Sequence, residues 1–254
     1  MELADGKPFD RARAGCSVPA RRYRKFDSGQ TPGGAVLATG YTKSDWLIPA
    51  GLIALAFIPV VAGMVRLVAL GSGAPLTPES ARFVSAPVPV VLHIISVTIY
   101  CLLGAFQFSP GIRRKHPHWH RFAGRVLVPT GLIAALSGIW MALTYDIVPA
   151  DTLLLHVFRL LAGGGMAASL VLGFAAIRRW DVETHQAWMR RAYALGQGAG
   201  TQALILAPLV GIFGPLRGIL LALAMGGAWL INLAVAEWLI FRRRAKMRLV
   251  PALA

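Results

Sequence analysis

The fold is decided by residues 88–108, VPVVLHIISVTIYCLLGAFQF, a run of 21 residues without Asp, Glu, Lys or Arg. An α-helix needs about 20 apolar residues to cross the hydrocarbon core of a bilayer. The segment that follows, SPGIRRKHPHWHR at residues 109–121, is strongly basic. A long uncharged run that ends in clustered arginines is typical of a transmembrane helix reaching its cytoplasmic end.

Five further predominantly apolar runs of similar length are present in the chain of 254 residues. They are predicted at residues 46–70, 122–145, 152–177 and 192–213, and from about residue 218 to residue 241. Apolar residues make up 56% of the chain and charged residues only 15%, which argues against a soluble globular protein. The predicted fold class is an all-α integral membrane protein with six transmembrane helices, in which helices two to five form a four-helix core.

The basic residues predict the orientation of the helices. Nearly all of the 26 Lys and Arg residues lie in or beside four segments that share one side of a six-helix topology, namely the N-terminal tail, the two basic loops and the C-terminal tail. The exceptions are Arg66, Arg82, Arg159 and Arg217. Positively charged loops stay in the cytoplasm, so both termini are predicted to be cytoplasmic. The expected location is the cytoplasmic (inner) membrane of a bacterium, as a multi-pass protein.

The same charge pattern indicates whether the partner is a nucleic acid or the lipid bilayer. A net charge of +15 would suit a nucleic-acid-binding protein. However, the charges cap hydrophobic runs and lack interleaved aromatic residues that could stack on bases. The lipid bilayer is therefore the expected partner, without nucleic acid. Residues 1–44 are predicted to be a mobile basic tail, residues 45–241 the membrane domain, and residues 242–254 a second basic tail.

Helices two to five each carry one conspicuous histidine. His93 and His156 lie near the outer ends of the second and fourth spans, and His120 and His185 lie at the cytoplasmic starts of the third and fifth. Imidazole is a common axial ligand of haem iron. This layout resembles the six-span di-haem b-type cytochromes that carry electrons across a membrane. The resemblance implies haem b as cofactor, with His93 and His156 as an outer pair and His120 and His185 as an inner pair.

Small residues continue the histidine stripes along the helices. Gly124, Gly131 and Gly138 share the face of His120, one helical repeat after another. Such residues would make room for a flat macrocycle, but they also allow helices to pack closely without any cofactor. The alternative hypothesis is therefore a cofactor-free membrane protein, either a transporter of a small solute or an accessory subunit of a larger complex.

The arginines that follow the inner histidines form a second set of candidates. They are predicted to compensate haem propionates or to bind a quinone or a small redox donor, with plain membrane anchoring as the alternative; this set consists of Arg121, Arg125, Arg190 and Arg191. Other polar residues are predicted to be buried inside the spans because charge is costly there; these are Gln107, Arg159, Asn232 and Glu237. Glu237 is expected to pair with Arg125 or Arg190.

Two cytoplasmic motifs carry a family resemblance. They read GAFQFSP at residues 104–110 with HRFAGR at residues 120–125, and HQAWMRRAYA at residues 185–194. Together with His93 and the Trp229, Asn232 and Glu237 pattern, they resemble the bacterial membrane-protein family known as domain of unknown function 2306, over about residues 90–240. Gln186 and Ala187 depart from its usual pattern. The resemblance implies a membrane location and a shared site, but no activity, so no catalytic residue is predicted and enzymatic activity stays open.

Overall fold

The computed structural model describes residues 43–73, 77 and 80–249, apart from the side chains of residues 44 and 246–249. The described residues are almost entirely helical and contain no β-strand. In chain order the helices are α1 (Lys43–Gly71), α2 (Ala81–Ser85), α3 (Pro87–Ala105), α4 (Pro110–Lys115), α5 (Pro117–Thr144), α6 (Leu153–Arg178), α7 (Val182–Gly196), α8 (Gly198–Phe213) and α9 (Gly218–Leu249), with a 3₁₀ turn at Phe106–Phe108.

Six helical segments are long and apolar enough to cross a membrane, which confirms the predicted fold class. They are Asp45–Gly71, Pro87–Phe108, Pro117–Thr144, Leu153–Arg178, Val182–Phe213 and Gly218–Ala245. We call the side that carries α4 and the α6–α7 turn the inner side, which the positive-inside rule predicts to be cytoplasmic, and the opposite side the outer side.

The third and fifth spans begin earlier than the sequence predicts. Residues 117–121 and 182–191 were expected to be basic loops, but they form the first turns of α5 and α7. Pro117 starts α5, where a proline costs no hydrogen bond. Asp181 caps α7 by accepting a hydrogen bond from the backbone N–H of Thr184, at 3.0 Å. The basic motifs therefore lie on helical surfaces.

The predicted tails are described only in part. Residues 1–42 lie outside the described residues, and α1 begins at Lys43. At the other end the sixth helix continues past residue 241, so the basic residues Arg242 and Arg243 extend α9. Residues 250–254 lie outside the described residues.

Four helices form a ring that corresponds to the predicted core. α3 packs against α5, α5 against α6, α6 against α7, and α7 returns to α3. Consequently α3 faces α6 across one diagonal of the ring, and α5 faces α7 across the other. α1 lies outside the ring against α3 and α8, and only 6% of its most apolar stretch is buried, against 44% for the second span.

The fifth span leaves the ring halfway across the membrane. It is interrupted at Gln197, where α7 ends and α8 begins. The next residue, Gly198, lies directly against the indole of Trp229 on α9, and no side chain would fit between them. Beyond this break α8 packs against α1 and α9 instead of α3 and α6. The ring of four helices is therefore complete in its inner half and open in its outer half.

Candidate functional site

The outer half of the bundle contains a cavity of about 410 Å³. Its walls come from α1, α3, α5 and α6 and, where α8 diverges, from α8 and α9. Pockets that hold small molecules and cofactors usually measure about 300–1,000 Å³. The departure of α8 from the ring thus leaves a space of the size that a ligand requires.

His93 lies in the wall that α3 contributes to this cavity. Its Nδ1 is 2.8 Å from the carbonyl oxygen of Ala134, which can only accept a hydrogen bond, so Nδ1 carries the proton. Ser137 lies 3.3 Å from the same nitrogen and donates its own hydroxyl proton to Ile133. Nε2 is then the nitrogen with the free lone pair, the form in which histidine binds a metal.

His156 enters the same cavity from α6, across the diagonal of the ring. The residue is only 7% exposed, and its Nδ1 lies 3.2 Å from the carbonyl oxygen of Thr152, one turn earlier. This contact again places the proton on Nδ1 and the lone pair on Nε2. Backbone carbonyls that fix the tautomer in this way are typical partners of metal-ligating histidines.

Two arginines, Arg82 and Arg159, lie with Asp151 at the outer mouth of the cavity. Arg159 donates to Asp151 at 2.7 Å, and Arg82 lies 3.7 Å from the same carboxylate. Both arginines line the cavity, and the Asp151 side chain is only 5% exposed. The Nε atom of Arg82 is buried without a hydrogen-bond partner. Two guanidinium groups share one carboxylate, so the mouth keeps a net positive charge that suits an anionic group of a ligand.

This mouth was not predicted from the sequence, in which Arg82 is an isolated basic residue of the outer side and Asp151 and Tyr145 are not candidates. The Tyr145 hydroxyl donates to the carbonyl oxygen of Ala86 at 2.6 Å and so ties the mouth to the start of α3. Burial raises the pKa of Tyr145, so the phenol stays neutral. The available signal was the shared outer position of Arg82, Asp151 and Arg159, which lie on three different segments.

Two tyrosine rings fill the middle of the bundle, next to the cavity. The ring of Tyr100 fills the space beside Gly131 and Gly196, and the ring of Tyr193 fills the space beside Gly104. The Tyr193 hydroxyl donates to the carbonyl oxygen of Cys101 at 2.7 Å and accepts from Gln197 at 2.8 Å. In the middle of the bundle, tyrosine rings therefore pack against the glycines. Gly138, by contrast, lies against the ring of His93.

The inner histidine pair has different surroundings. His120 on α5 and His185 on α7 face each other across the second diagonal, within electrostatic range, but neither lines the cavity. His185 donates from Nδ1 to the carbonyl oxygen of Gly173, at 2.9 Å. Nδ1 of His120 is buried without a hydrogen-bond partner. Both histidines lie near the arginine-rich inner surface, and His120 is within electrostatic range of Arg113 and Arg121.

The remaining predicted residues have three kinds of environment. Arg121 and Arg125 are exposed. Asn232 joins two helices, because it accepts from Thr201 at 2.7 Å and donates to the carbonyl oxygen of Ala194 at 3.0 Å. Gln107 is half-buried, and its Nε2 has no hydrogen-bond partner.

Glu237 pairs with an arginine as expected, but its predicted partners and its predicted burial were wrong. Its side chain is 50% exposed and pairs with Arg191, whose Nη2 lies 2.9 Å from the carboxylate, and not with Arg125 or Arg190. The physical reason is its position on the outward face of α9, near the inner end, where α9 packs against α7. Arg191 reaches this face of α7, and Arg190 points along a different face of the same helix.

Comparison with known protein families supports the interpretation that this chain is a membrane protein. A family model described as "Predicted membrane protein (DUF2306)" matches residues 90–240. The matched stretch runs from α3 into α9 and includes all four histidines discussed above, but it excludes α1 and α2. No curated protein and no solved structure matches the chain.

Proposed function

This chain belongs to the DUF2306 family of predicted membrane proteins, and on that premise we propose that it is a redox protein holding haem b in its outer cavity. The observation that carries the proposal is the convergence of His93 and His156, from diagonally opposed helices, on one cavity of about 410 Å³. Each ring has its Nδ1 on a backbone carbonyl and keeps Nε2 for a ligand.

The donor set fits a haem better than a bare metal ion. Among the described residues, no three His, Cys, Asp or Glu side chains come together in a way that could hold an ion. The porphyrin supplies four nitrogen ligands itself, so two axial imidazoles complete the coordination of its iron. When bound, haem would supply one-electron transfer, and the chain would supply His93, His156 and a largely apolar enclosure to hold it.

The outer mouth fits the acidic edge of a haem. Arg82 and Arg159 are the residues that would hold the propionate groups, since they line the cavity and share only one carboxylate, Asp151. Arginine binds carboxylates with paired hydrogen bonds. This assignment moves the propionate partners from the inner arginines to the outer mouth.

The inner pair would add a second site to the same function. A haem between His120 and His185 would give the protein two redox centres, one near each membrane face, with Arg190 and Arg191 near the inner one. Electrons would then pass between a quinone or small redox donor on the inner side and an acceptor on the outer side. The outer site has the stronger support, because only that pair lines the large cavity.

The visible spectrum of the purified protein tests this proposal. The full chain is produced in a bacterial host supplied with haem precursor, and its spectrum is recorded before and after dithionite. We expect a Soret band and a reduced α-band, with at least one haem b per chain and two if the inner pair also binds. A colourless protein that takes up no added haemin would contradict the proposal.

A cofactor-free function is the second candidate. It is favoured by unpartnered polar atoms around the same cavity, namely the Thr98 hydroxyl, Oε1 of Gln197 and Nε of Arg82. These groups, together with Arg159, would suit a small anionic solute with an apolar body. This candidate predicts a colourless protein whose thermal stability rises with such a solute and whose His93→Ala variant folds normally.

A further inference from the structure

A second cluster of charge lies at the inner surface, apart from the outer cavity. Arg113 on α4, Arg190 on α7 and Arg243 on α9 lie within electrostatic range of one another. All three side chains are only partly exposed. They come from segments far apart in sequence, so the tertiary structure alone brings them together.

The carboxylates that the structure describes on the inner side already have other partners. Glu183 accepts from Arg244 at 2.9 Å, and Glu237 accepts from Arg191. Asp181 caps α7 through Thr184, and Asp45 accepts from the backbone N–H of Gly111. Among the described residues, none of the three arginines of the cluster forms an ion pair within 4.0 Å.

Positive charges that are partly buried close to one another repel each other. Burial, followed by the neighbouring Arg243 and Arg114, lowers the pKa of Arg113 from its usual value. The positive-inside rule requires arginine on this side of the membrane, but it does not require the side chains to converge. Convergence of arginines beside acids that are already paired with other residues is unfavourable unless a further anion compensates it.

The surroundings of the cluster also provide uncharged hydrogen-bonding groups. Arg190 and Arg243 line a shallow cleft between α7 and α9 together with Gln186, and the cleft also contains Glu183, which is paired with Arg244. Oε1 of Gln186 is buried without a partner, and a half-turn of the amide would present its NH₂ group instead. Nδ1 of His120, a neighbour of Arg113, is also buried without a partner.

We propose that Arg113, Arg190 and Arg243, assisted by Gln186, form a binding site for a phosphate group at the inner surface. Guanidinium groups are suited to phosphate because their paired N–H donors match its oxygens. The phosphate can belong to an anionic phospholipid headgroup or to a soluble phosphate compound, and both present the same oxygens. This site is independent of haem binding in the outer cavity.

The test measures thermal unfolding of the full chain in nanodiscs. One arm adds inorganic phosphate or pyrophosphate to phosphatidylcholine nanodiscs, with sodium chloride at equal ionic strength as the reference. The other arm replaces part of the phosphatidylcholine with phosphatidylglycerol. The variant is Arg190→Gln with Arg243→Gln. The matched control is Arg178→Gln with Arg179→Gln, which removes the same charge from exposed positions on the same side.

The cluster variant is expected to differ from the wild type in opposite directions without and with the phosphate group. In chloride and phosphatidylcholine, the cluster variant unfolds at the same or a higher temperature than the wild type, because repulsion is relieved. With the phosphate group present, the wild type and the control gain stability, and the apparent affinity of the cluster variant falls by roughly tenfold or more. A gain only with phosphatidylglycerol identifies a lipid, and a gain with soluble phosphate identifies a soluble ligand. Equal gains in all three proteins, or none in the wild type, would overturn the proposal.

Discussion

The outer and inner halves of the bundle are built from the same membrane spans but are organised differently. In the outer half, the diagonal pair His93 and His156 faces a cavity of about 410 Å³. In the middle and inner half, Tyr100 and Tyr193 fill the spaces beside glycines, and charged groups collect at the surface. The difference arises at Gln197, where the fifth span breaks and α8 leaves the ring. Similar histidine placement therefore does not imply similar sites.

The largest expected effect separates the two histidine pairs. We expect His93→Ala and His156→Ala each to abolish binding of the proposed haem in the outer cavity, and its absorbance, because one of the two imidazoles that would hold it is lost. His120→Ala and His185→Ala should retain that haem. Haem content per chain and the reduced α-band are the measurements, and His118→Ala, an exposed position, is the control.

The opposite pattern would reverse the comparison. If only the inner variants lost haem, the cavity would have to serve another ligand, and the solute-binding candidate would be preferred.

A second prediction concerns the packed middle of the bundle. A Cβ atom at Gly131 would lie 2.7 Å from the ring of Tyr100 and 2.9 Å from Leu170, whereas a Cβ atom at Gly124 on the same helix would meet nothing within 4 Å. We expect Gly131→Ala to destabilise the protein by about 1–3 kcal/mol through overpacking. Gly124→Ala should be neutral or stabilise it by up to about 1 kcal/mol through helix propensity.

Thermal unfolding in one detergent compares these two variants directly. Equal unfolding temperatures for Gly131→Ala and Gly124→Ala would contradict the tight packing of Tyr100.

A third prediction concerns the charge at the outer mouth. Asp151→Asn removes the carboxylate that Arg82 and Arg159 share, so it should raise the midpoint potential of a haem in the cavity. Arg159→Gln removes a positive charge and should lower that potential. Each shift is expected to be up to roughly 60 mV, a tenfold change in a one-electron equilibrium.

Spectroelectrochemical titration measures these shifts. Arg217→Gln, a charge change on the outer side that does not line the cavity, is the control. Shifts of the same sign in the Asp151 and Arg159 variants would rule out an electrostatic role for the mouth.

The smallest expected effect is that of the ion pair between Arg191 and Glu237. Because the carboxylate is 50% exposed, Glu237→Gln should cost about 0–1 kcal/mol of stability, less at high salt. Haem content and spectrum should not change, since the pair lies outside the cavity. A loss of haem in this variant would show that the inner end of α9 influences the outer site. Thermal unfolding at low and high salt, with the spectrum as a second readout, provides the measurement.

Part of the candidate site could be predicted because it follows from periodicity. One histidine on each of four consecutive helices, at two depths, was sufficient to place His93 opposite His156 and His120 opposite His185. The partner of Glu237 could not be predicted in this way, because Arg190 and Arg191 differ in depth by one residue and the rotation of α7 against α9 decides between them. The mouth formed by Arg82, Asp151 and Arg159 depends on the path of short outer segments, which periodicity does not describe.

The sequence by itself determined the six membrane-spanning helices and the clustering of positive charge on one side. These features depend on the free energy of transfer of each segment between water and lipid, which is a property of its own residues. The tertiary structure decided which histidine pair faces a cavity and which arginines converge. That outcome depends on where the fifth span breaks and on how closely Gly198 approaches Trp229, and these are relations between helices that no single segment encodes.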